Sequence, residues 1–378
     1  MRAPKKSLCV FGTRPEAIKM APVVHALEQD ESWISKVCVS AQHRDMLDQV
    51  LSHFEIIPDY DLNLMRPNQD LHSLTAHILT GMRDVLLEEK PDLVLVHGDT
   101  ATAFATTLAA FYLQIPVAHV EAGLRTGDLY SPFPEESNRV LIDRIAQYFF
   151  APTPKAQEAL LQEGANAERI WVTGNTVIDA LLWTRDRLPA IHELHADFGS
   201  AHHVIATSNR IILVTGHRRE SFGDGFLQIC TALQRIARNN PDVHIVYPVH
   251  LNPNVQKPVY ALLNEIPNIH LIPPQSYQNF IALMNRSHII LTDSGGIQEE
   301  APSLKKPTLV MREKTERPEG VEAQLLKLVG TNPDTISQSV QELLDDTLAY
   351  ARMQEAPNPY GDGTAARQIV QYLNRAFF

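Results

Sequence analysis

VFGTRPEAIKMAP (Val10–Pro22) decides the reading of the fold. The apolar run SLCVFGT reads as a buried strand that ends at Gly12 and passes without a linker into EAIKMAPVVHALEQD, whose apolar residues recur at helical spacing. A strand feeding a helix through a glycine turn is the first half of a βαβ unit. Its chemistry is that of an anion site in outline. A helix N-terminus offers unpaired N–H groups and about half a positive charge. Gly12 permits a tight turn, and Arg14 and Lys19 add full charges, with Glu16 between them. Phosphate is the expected guest. An ordinary strand-to-helix turn with surface cations is the alternative that this segment alone leaves open.

The same alternation continues outward. ISKVCVSAQ, PDLVLVHGD, IPVAHVEAG, YFFAPT and RIWVTGN read as further strands, separated by helices such as DMLDQVLSHF, LHSLTAHILTGMRDVLLEEK, TATAFATTLAAFYLQ and EESNRVLIDRIAQ. Strands that are apolar on both faces and joined by crossover helices predict a parallel sheet covered on both sides. HELHADFGSAHHVIATSNR is polar and reads as a linker, with His202 and His203 in solvent. After it the pattern restarts with RIILVTG, VHIVYPVH, NIHLIPP, HIILTDSGG and PTLVMRE. The fold class is therefore α/β with two Rossmann-like domains facing a central cleft. The expected bounds are 1–190 and 205–360, with a C-terminal helix at 363–378 returning to the first domain.

Composition bounds the partners. A 378-residue chain is long enough for two cores, and its 44% hydrophobic content and 20% charged content are globular values. A net charge of −11 argues against a nucleic-acid binder and leaves room only for a local phosphate site. The N-terminus shows neither an h-region nor a membrane-length run, which predicts a cytoplasmic protein. Cys9, Cys38 and Cys230 show no CxxC spacing and read as reduced core residues. The sixteen histidines form no tight metal-ligand spacing, so no metal is expected. Neither GxGxxG nor GxxxxGK[ST] is present, which leaves a nicotinamide or Walker-type site unsupported, and no cofactor is expected.

Ligands of open parallel sheets bind beyond the carboxyl ends of the strands. GTRPE, HGDT and HVEAGLRTGDL occupy those ends in the first half, and TGHRRES, PVHLNP and TDSGGIQEE in the second. In the last of these, Ser294, Gly295 and Gly296 open a helix whose free N–H groups suit a diphosphate, and Glu300 one turn on suits the hydroxyls of a ribose. Plain helix capping is the competing account. Asp99, Glu121, Glu135 and Glu136 crowd acids at one sheet end, an arrangement that splits pKa values and supplies both acid and base. Asp99 and Glu135 are also explicable as helix caps. Glu121 is not, and the loop after it carries Arg125, placed to cover a ligand.

Taken together, FGTRPEAIKMAP, HGDT, HVEAGLRTGD, PFPEESNR, VTGNTVID, TGHRRES, PVHLNP, TDSGGIQEEAPSLKKP and TERPEG resemble the bacterial non-hydrolysing UDP-N-acetylglucosamine 2-epimerases in order and spacing, over nearly the whole chain. The resemblance implies a fold like that of the B-type glycosyltransferases and a cytoplasmic homodimer. The implied reaction interconverts UDP-GlcNAc and UDP-ManNAc for envelope or capsule polysaccharide. It assigns Arg14, His217 and the Ser294–Gly295–Gly296 turn to the diphosphate, Glu300 to the ribose and the Phe280 segment to uracil. Lys19, Asp99, Glu121, Glu135 and Arg139 then surround the sugar. Asp99, Glu121 and Glu135 form the expected acid/base set, with His217 counted beside them as catalytic.

A second, activating UDP-GlcNAc position is implied at Gln42, Asp45, Asn68, Glu136, Arg218 and His250, with Asp45 and Asn68 replacing a more usual Gln and Arg. The chain also departs from the family at Gln324 and Leu325, where EAGT is common, and at Lys305, where a glycine is usual. The C2 hydrogen is not α to a carbonyl, so the expected route is elimination of UDP to 2-acetamidoglucal and re-addition. A UDP-sugar-dependent glycosyltransferase of the same fold is the rival. A binding protein that closes on the sugar nucleotide without chemistry is a third reading.

Overall fold

The computed structural model describes residues 3–41, 44–64, 69–194 and 198–378. They form two compact units, Met1–Ala180 with Tyr360–Phe378, and Leu181–Pro359.

The first unit is built on seven parallel strands: β1 (Lys5–Phe11), β2 (Trp33–Val39), β3 (Tyr60–Asp61), β4 (Leu93–His97), β5 (Val117–Val120), β6 (Tyr148–Ala151) and β7 (Ile170–Val172), in the order β3-β2-β1-β4-β5-β6-β7. Leu8, Val10, Val94 and Val96 are fully buried, because helices cover both faces and leave no strand side for water. The register places His97 opposite Val120, so the residues that follow β4 and β5 emerge at the same level. The strand order reverses between β1 and β4. The C-terminal helix Ala365–Phe377 belongs to this unit. Its first N–H groups, on Ala365 and Ala366, are accepted by the Asp179 carboxylate at 3.2 and 2.9 Å. Burial raises the pKa of that carboxyl to about 6. Trp33 Nε1 donates to Asn374 Oδ1 at 2.7 Å, fastening the helix to the start of β2.

The second unit carries six parallel strands: β8 (Ile211–Thr215), β9 (His244–Pro248), β10 (Ile269–Ile272), β11 (Ile289–Thr292), β12 (Thr308–Val310) and β13 (Leu326–Leu328), ordered β10-β9-β8-β11-β12-β13. Its order reverses between β8 and β11, whose ends Thr215 and Thr292 lie in register and share a 2.6 Å hydroxyl contact.

The linker expectation is corrected in part. Residues 202–207 form a helix, with Ala201 and Ile205 fully buried, and His202 Nε2 lies 3.3 Å from the Ile191 carbonyl instead of standing free in water. His203 is exposed. Cys9, Cys38 and Cys230 are buried free thiols whose pKa values burial raises. Among the described residues no helix is long and apolar enough to cross a membrane.

Lys305 (φ 56°) and Gln324 (φ 60°) hold left-handed backbone just past the helices Gly295–Ser303 and Pro318–Glu322. Helix ends favour glycine there, because a Cβ crowds the next carbonyl. Lys305→Gly and Gln324→Gly are each expected to raise unfolding stability by about 0.5–1 kcal/mol, after the larger backbone entropy of glycine is set against the relieved strain. Urea titrations check this, and an unchanged or lowered midpoint in both variants rules it out.

Candidate active site

Each sheet presents its chemistry at the point where strand order reverses, the place where open α/β sheets leave a crevice. In the first unit, Gly12 follows β1, Asp99 follows β4 and Glu121 follows β5, so three adjacent strands deliver their turns to one edge.

Asp99 is held at two atoms. Arg139 Nη2 lies 3.0 Å from Oδ2, and Asn138 Nδ2 donates to the Asp99 carbonyl at 2.8 Å. Burial raises its carboxyl above the ordinary aspartate value, with Glu121 and Glu135 adding to the rise and Arg139 and Lys19 opposing it. Asp99 does not cap the next helix. Thr100 does, accepting from Ala103 N at 3.1 Å, which leaves the Asp99 carboxylate available for chemistry.

Glu121 sits in left-handed backbone (φ 65°), an uncommon conformation for a residue with a side chain. It receives Lys19 Nζ at 2.6 Å and Asn175 Nδ2 at 2.9 Å on Oε1, while His97 Nε2 stands 3.2 Å from Oε2. Burial drives the His97 pKa down to about 3, so the ring is neutral at physiological pH. Glu135 opens the helix Glu135–Ile145 half-buried, with no partner for its carboxylate among the described residues. It faces Asp99 closely enough to raise that group's pKa.

Three expectations change here. The turn into the helix Arg14–Glu28 is closed by a carboxylate of that helix. Glu16 folds back over it, and one oxygen accepts from Gly12 N (3.1 Å), Thr13 N (2.8 Å) and Thr13 Oγ1 (2.8 Å) while the other accepts from Thr100 Oγ1 (2.6 Å). A capping carboxylate has taken the N–H groups of the Gly12–Thr13 turn that precedes the helix. Arg14 stays half-buried with no partner among the described residues, so its charge remains available. Gly12 is required for close packing and not for its turn, since a Cβ there would lie 2.0 Å from Ser40 Oγ and 2.5 Å from Thr102 Oγ1. Arg125 is no ligand cover. It is pinned by both oxygens of Glu163, at 2.7 and 2.9 Å, and by Asp143 at 2.9 Å.

In the second unit, His217 and Arg218 follow β8 and their N–H groups donate to Asp293 Oδ2 at 2.7 and 2.8 Å. Asp293 is fully buried, and its other oxygen lies 3.5 Å from His217 Nδ1. Burial lowers the His217 pKa against the pull of Asp293. Ser294 precedes the helix Gly295–Ser303 without a side-chain cap bond. A Cβ on Gly295 would lie 3.5 Å from the Arg317 guanidinium carbon and 3.6 Å from Arg218 Nη2, so two guanidinia border this helix start. Arg317 is held there by Glu299 Oε1 at 2.7 Å. Glu300 is buried and accepts from Tyr277 OH at 3.3 Å. Phe280 is half-buried on the same helix as Tyr277, Tyr277–Arg286.

Of the second-nucleotide candidates, Arg218 borders the Gly295 turn, and His250 is exposed with its ring stacked on His217 at 5.3 Å. Glu136 is buried and holds a turn, accepting from Thr126 N and Gly127 N at 2.9 and 3.0 Å. Asp45 falls in the helix Arg44–His53, and Gln42 and Asn68 lie outside the described residues. Sequence reasoning missed Arg317, Asn138, Asn175, His97 and Asp293. Four of them lie inside the quoted motifs TERPEG, PFPEESNR, VTGNTVID and HGDT, and Asp293 inside TDSGG. Only their partners in space reveal their work.

Two Rossmann-like sheets, each with its polar groups at the switch point, define the fold of the B-type glycosyltransferases. A glycosyltransferase of kitacinnamycin shares it at a TM-score of 0.64 and 12% identity, over 98% of this chain and all of that one. That likeness is one of fold alone. The chain belongs to the UDP-N-acetylglucosamine 2-epimerase family, whose model matches residues 25–374. It is 59% identical to the UDP-N-acetylglucosamine 2-epimerase of Yersinia pestis over 97% of this chain and 98% of that one. The crystal structure of UDP-GlcNAc 2-epimerase from Neisseria meningitidis bound to UDP-GlcNAc matches at a TM-score of 0.87 and 52% identity, covering 98% of this chain and all of that one.

Proposed function

We propose that this member of the UDP-N-acetylglucosamine 2-epimerase family inverts C2 of UDP-GlcNAc by elimination and re-addition, without hydrolysing its substrate. A carboxylate removes the C2 proton as the C1–O bond breaks and its electron pair leaves with UDP, giving 2-acetamidoglucal. A proton then returns to C2 from the opposite face as UDP adds back at C1. The observation that carries this reading is the pairing of two carboxylates in contrasting settings at one sheet edge. Asp99 is raised by burial beside Arg139, while Glu121 is bound by Lys19 and Asn175. Groups held in different environments divide the roles of acid and base. Glu135 stands ready beside them.

The leaving diphosphate is assigned to the Ser294–Gly295–Gly296 turn, where helix N–H groups and the guanidinia of Arg218 and Arg317 favour negative charge. The family resemblance adds His217 to that set, gives the ribose to Glu300 and the uracil to Phe280, and implies a diphosphate contact for Arg14. An activating second nucleotide near Arg218 and His250 is consistent with their placement beside His217. The family resemblance also supports a cytoplasmic homodimer that supplies ManNAc units for envelope or capsule polysaccharide.

Incubation with UDP-GlcNAc alone in heavy water tests the reaction. The expected product is UDP-ManNAc carrying deuterium at C2, with traces of free UDP and 2-acetamidoglucal. Product that retains hydrogen at C2, with no free UDP at any time, overturns the elimination route. A need for an added acceptor would favour the glycosyltransferase reading.

A further inference from the structure

One buried group in the first unit holds the turn that bears Asp99. His119, in β5, is fully shielded from water. Its Nε2 lies 2.7 Å from the Gly98 carbonyl and its Nδ1 lies 2.6 Å from Asp143 Oδ1. A carbonyl only accepts, so Nε2 carries hydrogen. Asp143 Oδ2 meanwhile accepts from Gly123 N at 3.1 Å and faces Arg125 Nη2 at 2.9 Å. Burial raises the Asp143 carboxyl, but His119 and Arg125 outweigh it and hold the group below its usual value. The contacts there run from His119 to Asp143 to Arg125 to Glu163, with neutral His97 on the neighbouring strand.

What the ring holds is the turn that bears Asp99. Gly98 has φ 62°, and its N–H donates to the Val120 carbonyl at 2.9 Å while its own carbonyl is taken by His119. Asp143 lies on the helix Glu135–Ile145, which also supplies Asn138 to the Asp99 carbonyl and Arg139 to its carboxylate. The helix that starts with Glu135 therefore grips the β4 turn at three points, one of them reached through His119. A displacement of about 1 Å in a reacting group is enough to lose about a hundredfold in rate.

We propose that His119 is a positioning residue for the epimerisation, a buried strut that locks the Gly98–Asp99 turn to the helix Glu135–Ile145. Its catalytic consequence rests on the reading of Asp99 as a proton-transfer group; its grip on the Gly98 carbonyl does not. The first measurement is nitrogen NMR of the enzyme labelled at histidine rings, at about pH 8, where an ordinary histidine is neutral. Nε2 of His119 is expected to bear hydrogen, as its bond to the Gly98 carbonyl requires, with the resonance assigned by its loss in His119→Gln. A bare Nε2 overturns the proposal.

The second measurement is kinetic. His119→Gln and Asp143→Asn should each lower kcat by at least about tenfold while leaving the UDP dissociation constant within about twofold, because a loosened turn misplaces Asp99 without touching the nucleotide. Unchanged kcat in a folded variant overturns the positioning role. Should His119→Gln fail to fold, Asp143→Asn preserves the side-chain shape and decides the matter. Retained activity in Asp99→Asn would sink the assignment of Asp99 but leave the NMR result standing, so the two failures are distinguishable.

Discussion

Asp99→Asn and Glu121→Gln will each lose on the order of a hundredfold or more in kcat, the range of general acid–base groups, with UDP affinity little changed. Both substitutions keep shape and remove the titrating group. Arg139 and Asn138 retain oxygen acceptors at Asp99, and Lys19 and Asn175 retain one at Glu121, so the local structure survives. The pH profile separates the two. Burial places the Asp99 pKa above the ordinary 3.8, so the carboxylate form is lost as pH falls through that raised value. An acid limb of kcat/KM attributable to Asp99 therefore lies nearer neutrality than for an exposed aspartate and is absent from Asp99→Asn. Wild-type turnover in either variant, or an equal loss of UDP binding and kcat, contradicts the assignment.

Gly123→Ala has the largest expected effect on stability, about 3–5 kcal/mol. Gly123 follows Glu121 at φ 86°, and a Cβ there would meet the Ala156 carbonyl oxygen at 2.2 Å, its carbon at 2.8 Å and Leu160 Cγ at 2.9 Å. The obstacle is the backbone of the helix Pro154–Gln162, which cannot swing aside as a flexible side chain would. Gly123 N also donates to Asp143, so a shift of the loop would disturb the His119 network. Gly127→Ala is the control. It shares the left-handed backbone (φ 83°) but a Cβ there meets nothing within 4 Å, and it should lose only about 1–2 kcal/mol. Comparable denaturation midpoints for the two variants would show that the Ala156 contact is not the cause.

The elements most legible in the sequence were those with long apolar runs. β1, β2, β4, β5 and β6 and the corresponding strands of the second unit lie where SLCVFGT, ISKVCVSAQ, PDLVLVHGD, IPVAHVEAG, YFFAPT and their later counterparts predict them. Tyr60–Asp61 and Leu326–Leu328 went unread, because edge strands of two and three residues carry no periodicity to detect. The helix at 202–207 was hidden by a polar composition whose only apolar anchors, among them Ile205, become significant once buried. The acids Asp99, Glu121 and Glu135 were legible as residues at strand ends, but their partners were not.

The chain by itself determined the alternation of strand and helix, the restart of that pattern after residue 210, and the motifs that sit at the carboxyl ends of the strands. These follow from local hydrophobic period and turn chemistry, which neighbouring residues specify without reference to the rest of the molecule. Only the tertiary structure decided what each polar group does. Glu16 and Arg14 share a helix turn, yet one is consumed as a cap with Thr100 and the other is left available. Arg125 looked like a ligand cover until Glu163 and Asp143 claimed it. His119 stands out only in the fold, where a carbonyl and a carboxylate flank it. The physical reason is that hydrogen bonds and charges gain their strength from burial, and burial joins residues tens of positions apart that no local pattern links.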